Sequence, residues 1–268
     1  FMENQNTLKL VKPSKAERKR LWRAAIKWPL YSVAVMPVLI AAGWKQAINA
    51  NIRWDQLTGF LIASILLLIW ENLTNDLFDS DTGVDQFKLH SVITLVGKRQ
   101  LIKGLAYLAL SLGLVLILIL AIRSSYSVLF LVISSCCLGY LYQGPPFRLG
   151  YHGLGEPLCW LAFGPLATGA ALLVISPPTT IEDGIPWSIS ILIGAGPALA
   201  TTLVLFCSHF HQINQDAAVG KKSPLVVLGT YRAAKVLPWL IGLIFLLELI
   251  PVFNGIWPIT NLICLISL

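Results

Sequence analysis

The chain has 268 residues, of which 56% are hydrophobic and only 12% charged, about half the charged fraction of a soluble domain. That balance excludes a soluble globular protein, and apolar runs of membrane-spanning length recur along the chain. The net charge of +7 is not a nucleic-acid signal, because the cations follow the ends of the apolar runs rather than forming one patch.

In chain order, the candidate spans are residues 28–42, 57–74, 104–122, 127–141, 158–175, 187–206, 236–250 and 256–268. They exceed the roughly 9–11 residues of a barrel strand and lack its alternation, so the fold class is all-α and multi-pass. The last run meets the final residue before a full crossing, which reads as a chain cut short of its natural C-terminus. Seventeen of the twenty Lys and Arg fall at one set of span ends, and only Lys45, Arg53 and Arg123 at the other. The positive-inside rule then puts the N-terminus and the ends of the even-numbered spans in the cytoplasm. The five cysteines have neither zinc nor disulfide spacing and read as packing residues.

Residues 1–20 are polar and basic and read as a mobile segment, ahead of a single transmembrane domain over residues 21–268. From Ala16 the pattern A-E-R-K-R-L-W-R-A-A-I-K-W-P fits a basic amphipathic helix on an anionic leaflet. Lys27 sits just before the first span, facing either the headgroups or the interior.

The second span closes on W-E-N-L-T-N-D-L-F-D-S-D-T-G-V-D, residues 70–85. Asn72, Asp76 and Asp79 stand at i, i+4 and i+7, one face of a helix, with Asn75 beside them. Hard oxygen ligands of this kind suit Mg²⁺. The plainer reading is a solvated acidic helix end. The loop that follows, residues 80–102, carries Lys88, Lys98 and Arg99 on the same side, and its length favours an ordered lid over a slack linker. The fourth span ends in a turn with two prolines, where Tyr140, Tyr142 and Arg148 gather. They serve either a substrate or an interfacial aromatic belt. A second polar intrusion follows the sixth span: His209, Gln212 and Asp216 at i, i+3 and i+7, then Lys221. Two His residues without a third ligand argue for hydrogen bonding rather than a transition metal. Ionisable groups at such depth usually line a cavity or pathway. Two oxygen-rich clusters at one membrane face, with cations beside them, suit a metal-bridged diphosphate.

Three stretches carry a family likeness: N-x-x-N-D-x-x-D-x-x-x-G-x-D from Asn72, the Y-x-G-P-P turn with L-G-Y-x-G-L-G-E up to Glu156, and H-F-H-Q-x-x-x-D-x-x-x-G-K-K-S-P from His209. Together they resemble the UbiA superfamily of intramembrane prenyltransferases, over most of residues 22–268. Within it, the chain is similar to the branch that prenylates 1,4-dihydroxy-2-naphthoate in phylloquinone and menaquinone biosynthesis. The H-F-H-Q form is similar to cyanobacterial and plastid members with a phytyl donor.

The resemblance implies about nine transmembrane helices around a central cavity, in a cyanobacterial plasma or thylakoid membrane. It implies Mg²⁺ as cofactor, a prenyl diphosphate and an aromatic acceptor as substrates, and no protein partner. It assigns Asp76, Asp79 and Asp216 to catalysis through the metal, with Asn72 and Gln212 as further ligands. Lys27, Asn75, Lys88, Lys98, Arg99, Tyr140, Tyr142, Arg148, His209 and Lys221 are the candidate diphosphate and substrate contacts. Two departures stand out: Gly83 replaces a third Asp of the first motif, and Gln212 replaces the first carboxylate of the second. The implied chemistry is ionisation of an allylic diphosphate in a dry cavity, attack by the naphthoate ring and loss of CO₂. An enzyme of the same type with 4-hydroxybenzoate, homogentisate, chlorophyllide or haem as acceptor is the alternative. A secondary transporter is another, although its acids would sit near the midplane rather than at one interface.

Overall fold

The computed structural model describes residues 14–26, 30–83, 91–178 and 184–267. Lys27 and Lys88 therefore lie outside the described residues. Every regular element among those described is helical. α1 (Lys15–Ile26) and α2 (Tyr31–Ala47) precede the long α3 (Trp54–Thr82), and the short α4 (Val92–Val96) leads into α5 (Arg99–Ile122). α6 (Ser127–Gln143) ends at the double-proline turn, and α7 (Gly155–Leu161) passes through a π turn at Ala162–Leu166 into α8 (Ala167–Ile175). α9 (Trp187–Ser208), α10 (Ile213–Ala218), α11 (Pro224–Leu228) and α12 (Thr230–Phe253) complete the bundle. Since α1 starts at Lys15, helix begins before the expected domain boundary at residue 21.

Among the described residues, five helical segments are long and apolar enough to cross a membrane, or six if α1 and α2 form one bent span. The apolar α6 is shorter, at 17 residues. The chain is thus a multi-pass membrane bundle; among the described residues, fewer helices reach full spanning length than the eight candidates in the sequence. The last candidate is the clearest difference: Ile259–Ser267 is a nine-residue 3₁₀ segment. At about 2 Å per residue it covers less than two thirds of a hydrocarbon core.

Packing relies on small residues, as expected where lipid leaves little hydrophobic drive between helices. A Cβ at Gly194 of α9 would stand 2.6 Å from Thr168 Oγ1 of α8, and one at Gly164 would stand 2.8 Å from Ala198 Cβ. Likewise, a Cβ at Gly113 of α5 would meet Leu67 of α3 at 2.9 Å. The main core gathers Val38, Phe60, Ile117, Leu131, Val174 and Ile193 with their neighbours. It fills the half of the bundle near Arg53 and Arg123, where Arg123 pairs with Asp55 at 2.7 Å and Arg53 Nη1 donates to the Arg123 carbonyl. The other half is left open, and the polar motifs line it.

Candidate active site

α3 has 29 residues, about 43 Å at 1.5 Å per residue, against a hydrocarbon core of about 30 Å. Its last turns therefore reach beyond the apolar packing and carry the first polar motif. Three elements meet that face. The Val92 amide at the head of α4 donates to Asp76 Oδ2 at 3.0 Å. Gln143 Nε2, at the end of α6, donates to Asp79 Oδ1. Asn72 Nδ2 is buried on this face with no hydrogen-bond partner. Gly83, at φ 77°, closes α3 in the left-handed conformation that glycine takes without strain.

The turn after α6 ties the two polar segments together. Cβ atoms at Gly150 and Gly155 would stand 2.8 and 2.7 Å from Tyr142 Cε2, so the glycines of L-G-Y-x-G-L-G form a socket for the Tyr142 ring. Tyr151 donates its hydroxyl hydrogen to Thr82 Oγ1 at 2.7 Å, and its carbonyl accepts the Lys222 amide at 2.8 Å. The Lys221 ammonium lies 5.7 Å from the Tyr151 ring centroid, a cation–π contact.

The second polar segment does not continue α9 as one helix. His209–His211 forms a 3₁₀ turn and Gln212 leaves helical geometry before α10 begins. The i, i+3, i+7 face read from the sequence is therefore broken. Gln212 and Lys221 line the cavity, whereas Asp216 does not. Asp216 is fully buried, 3.0 Å from His209 Nδ1 and 3.3 Å from Lys221 Nζ. An ionised carboxylate only accepts hydrogen bonds, so Nδ1 carries the proton and Nε2 faces Glu156 Oε1 at 3.5 Å. Burial pushes the Asp216 carboxyl pKa up, but the His209 hydrogen bond and the Lys221 charge outweigh it and hold it below the ordinary carboxylate range.

The result is a cavity of about 270 Å³ lined by Asn72, Asn75, Asp76, Asp79, Tyr142, Gln143, His209, Gln212 and Lys221 at its polar end. It shares Leu68, Glu71, Gly139, Ala162 and Phe163 with an apolar chamber of about 80 Å³ reaching Phe60 and Ile117. The π turn, with Pro165 inside it, brings Ala162 and Phe163 to this junction, where such irregular turns often serve function. The other expected contacts lie elsewhere. Arg99 bonds Ser80 and pairs with Asp81, Tyr140 donates to the Pro145 carbonyl, and neither they, Lys98 nor Arg148 line the cavity. Two lining residues escaped the sequence reading. Glu71 had a signal, an ionisable group closing an apolar run; Gln143 had none, since its partner lies 64 positions away.

The model of the UbiA prenyltransferase family matches residues 34–268. The 2-carboxy-1,4-naphthoquinone phytyltransferase of Synechocystis sp. is 40% identical over 254 residues, covering 93% of this chain and 80% of that protein. The chloroplastic protein of that name from Arabidopsis thaliana is 41% identical over 256 residues, 93% of this chain and 66% of the plant protein. A 1,4-dihydroxy-2-naphthoate octaprenyltransferase of Mycobacterium tuberculosis is 28% identical over 239 residues, 86% of this chain and 77% of that one. No solved structure matches. A polar mouth that opens into an apolar chamber inside a helical membrane bundle agrees with what these matches establish: the chain belongs to the UbiA prenyltransferase family and is an enzyme that transfers prenyl groups.

Proposed function

We propose that the chain transfers a phytyl or other polyprenyl group from its diphosphate to 1,4-dihydroxy-2-naphthoate, with release of CO₂. The observation that carries this reading is the continuity between the polar cavity and the apolar chamber. One end suits a diphosphate, the other a hydrocarbon tail, and the reacting carbon falls between them. The printed names of the relatives supply the acceptor class.

Among the described residues, no group of three or more His, Cys, Asp or Glu is arranged to hold a metal by itself. That fits Mg²⁺, which usually takes one or two carboxylates and fills its remaining positions with water and substrate phosphates. Asp76 and Asp79, with Gln212 also lining the cavity, are the oxygen donors for it. Bound there, Mg²⁺ supplies Lewis-acid neutralisation of the leaving diphosphate. The unpartnered Asn72 amide nitrogen and the Lys221 ammonium suit diphosphate oxygens. Asp216 is a positioning residue that holds Lys221 and His209 at the cavity wall. The apolar walls keep water from the allylic carbon, and the Tyr142 and Phe163 rings offer it aromatic faces. The donor C1–O bond breaks with its electron pair leaving on diphosphate. The carboxylate-bearing ring carbon forms the new C–C bond. The bond to CO₂ then breaks and returns its pair to the ring.

The test uses the purified chain in nanodiscs, labelled phytyl and geranylgeranyl diphosphates, and a panel of dihydroxynaphthoate, 4-hydroxybenzoate and homogentisate. Prenylated naphthoquinol with stoichiometric CO₂ is expected. Asp76→Ala and Asp79→Ala should each lose about a hundredfold or more, corresponding to several kcal/mol of lost charge stabilisation. Full turnover in EDTA, or a product only with another acceptor, overturns the assignment.

A further inference from the structure

Glu71 has no part in the chemistry described so far, yet it stands where the two cavities meet. It lines both the polar cavity and the apolar chamber. One turn and a half of α3, about 7.5 Å, separates it from Asp76 along the helix axis. Among the described residues its carboxyl has no hydrogen-bond or ion-pair partner. Opposite it is Gly139 of α6, where a Cβ would stand 3.3 Å from both Cδ and Oε1 of Glu71. A side chain at position 139 would crowd the carboxyl, so a glycine keeps the space beside it open. An unpaired carboxyl within a span is costly and marks a functional position by default.

Its depth decides what it meets. With the diphosphate at Asp76 and Asp79 and the hydrocarbon tail in the chamber beyond Leu68 and Phe163, the acceptor ring lies at the level of Glu71. A carboxyl has an oxygen able to accept a hydrogen bond in either protonation state. A dihydroxy ring offers hydroxyl donors to it. Resting on the prenyl-transfer reading above, we infer that Glu71 accepts a hydrogen bond from a hydroxyl of the acceptor and so orients the ring. A site built around a substrate hydroxyl discriminates strongly against analogues that lack it, because its own polar group is then left buried and unpaired.

Binding is measured anaerobically with the intact chain in nanodiscs, using 1,4-dihydroxy-2-naphthoate and 2-naphthoate as probes. Wild type should bind the dihydroxy compound about 10- to 100-fold more tightly than 2-naphthoate, the range of one hydrogen bond to a charged or strongly polar group. Glu71→Leu should erase that preference, and Glu71→Gln, which keeps a carbonyl oxygen, should retain part of it. In turnover, Glu71→Leu should raise the acceptor KM and leave the KM of phytyl diphosphate unchanged. Both variants should melt at or above the wild-type temperature, since removing an unpaired carboxyl from the interior of a span relieves a desolvation cost; melting well below it would show a structural role and sink the inference. A preference unchanged in Glu71→Leu also overturns it. If wild type keeps the binding preference but makes no prenylated product, the transfer reading fails and the role of Glu71 in binding stands.

Discussion

At Asp216 the structure shows contacts that the motif spacing does not. The motif suggests a metal ligand, but its side chain is buried between His209 and Lys221, outside the cavity lining. Removing it strands a buried ammonium, since Lys221 is only 4% exposed. Breaking such a pair typically costs about 3–5 kcal/mol. Asp216→Ala should therefore lose both activity and stability, and Asp216→Asn combined with Lys221→Met should recover much of the stability but not the activity. Thermal melts of the three proteins decide this. The pH dependence follows from the same contacts. The folded-state pKa is held below the unfolded one, so the stabilisation is complete above the ordinary carboxylate pKa and is lost as pH falls through the depressed value. Melting temperature should thus fall more steeply for wild type than for Asp216→Asn as the pH drops below that of a free carboxylate. Parallel curves would show that Asp216 gains nothing from its neighbours.

Two glycines, Gly155 and Gly104, sit in contrasting surroundings, and the space around each separates their roles. Gly155 sits against the Tyr142 ring, where a Cβ would reach 2.7 Å. Gly155→Ala must shift the ring that lines the cavity, and overpacking of this kind costs about 1–3 kcal/mol. Gly104, inside α5, has nothing within 4 Å of its would-be Cβ. Gly104→Ala should be neutral or stabilising by up to about 1 kcal/mol, the helix-propensity difference. Melting temperature and prenyl-transfer rate measured on both variants test the contrast: the first should lose activity and the second should not. The break between α9 and α10 belongs to this scale too. A continuous helix would point Gln212 and Asp216 the same way; Gln212 instead leaves helical geometry at φ −115° and ψ 4° ahead of α10, and of the two only it lines the cavity.

In the molecule as a whole, the packed core and the site occupy opposite ends. The Asp76–Asp79 end, the Gly144–Gly155 turn and α10 gather at one face, with Arg53, Asp55 and Arg123 at the other. From the Lys and Arg distribution we propose that the first face is the cytoplasmic one. Gln100 and Gln215 are exposed at the site face, and Asn51 is exposed at the opposite one. In a background with the native cysteines replaced, Gln100→Cys and Gln215→Cys should react with an impermeant maleimide only from the cytoplasmic side, and Asn51→Cys only from the other. The reverse pattern would invert the topology without disturbing the site.

What the sequence determined by itself follows from local physics. Apolar length and the absence of alternation specify membrane helices, and α3, α5, α9 and α12 each enclose their expected runs. The i, i+4, i+7 spacing of Asn72, Asp76 and Asp79 puts them on one face because α3 remains regular to Thr82. Contacts between distant segments leave no such trace. Gln143 against Asp79, Tyr142 in its glycine socket, and Lys221 held by Asp216 depend on how α6, the turn and α10 dock around α3. So does the junction at Glu71, which exists only because Gly139 and the π turn at Ala162–Leu166 leave room beside α3. A helix's own periodicity fixes which side chains share a face. Which of those faces encloses a cavity is settled only when the helices pack, because the space belongs to several elements at once.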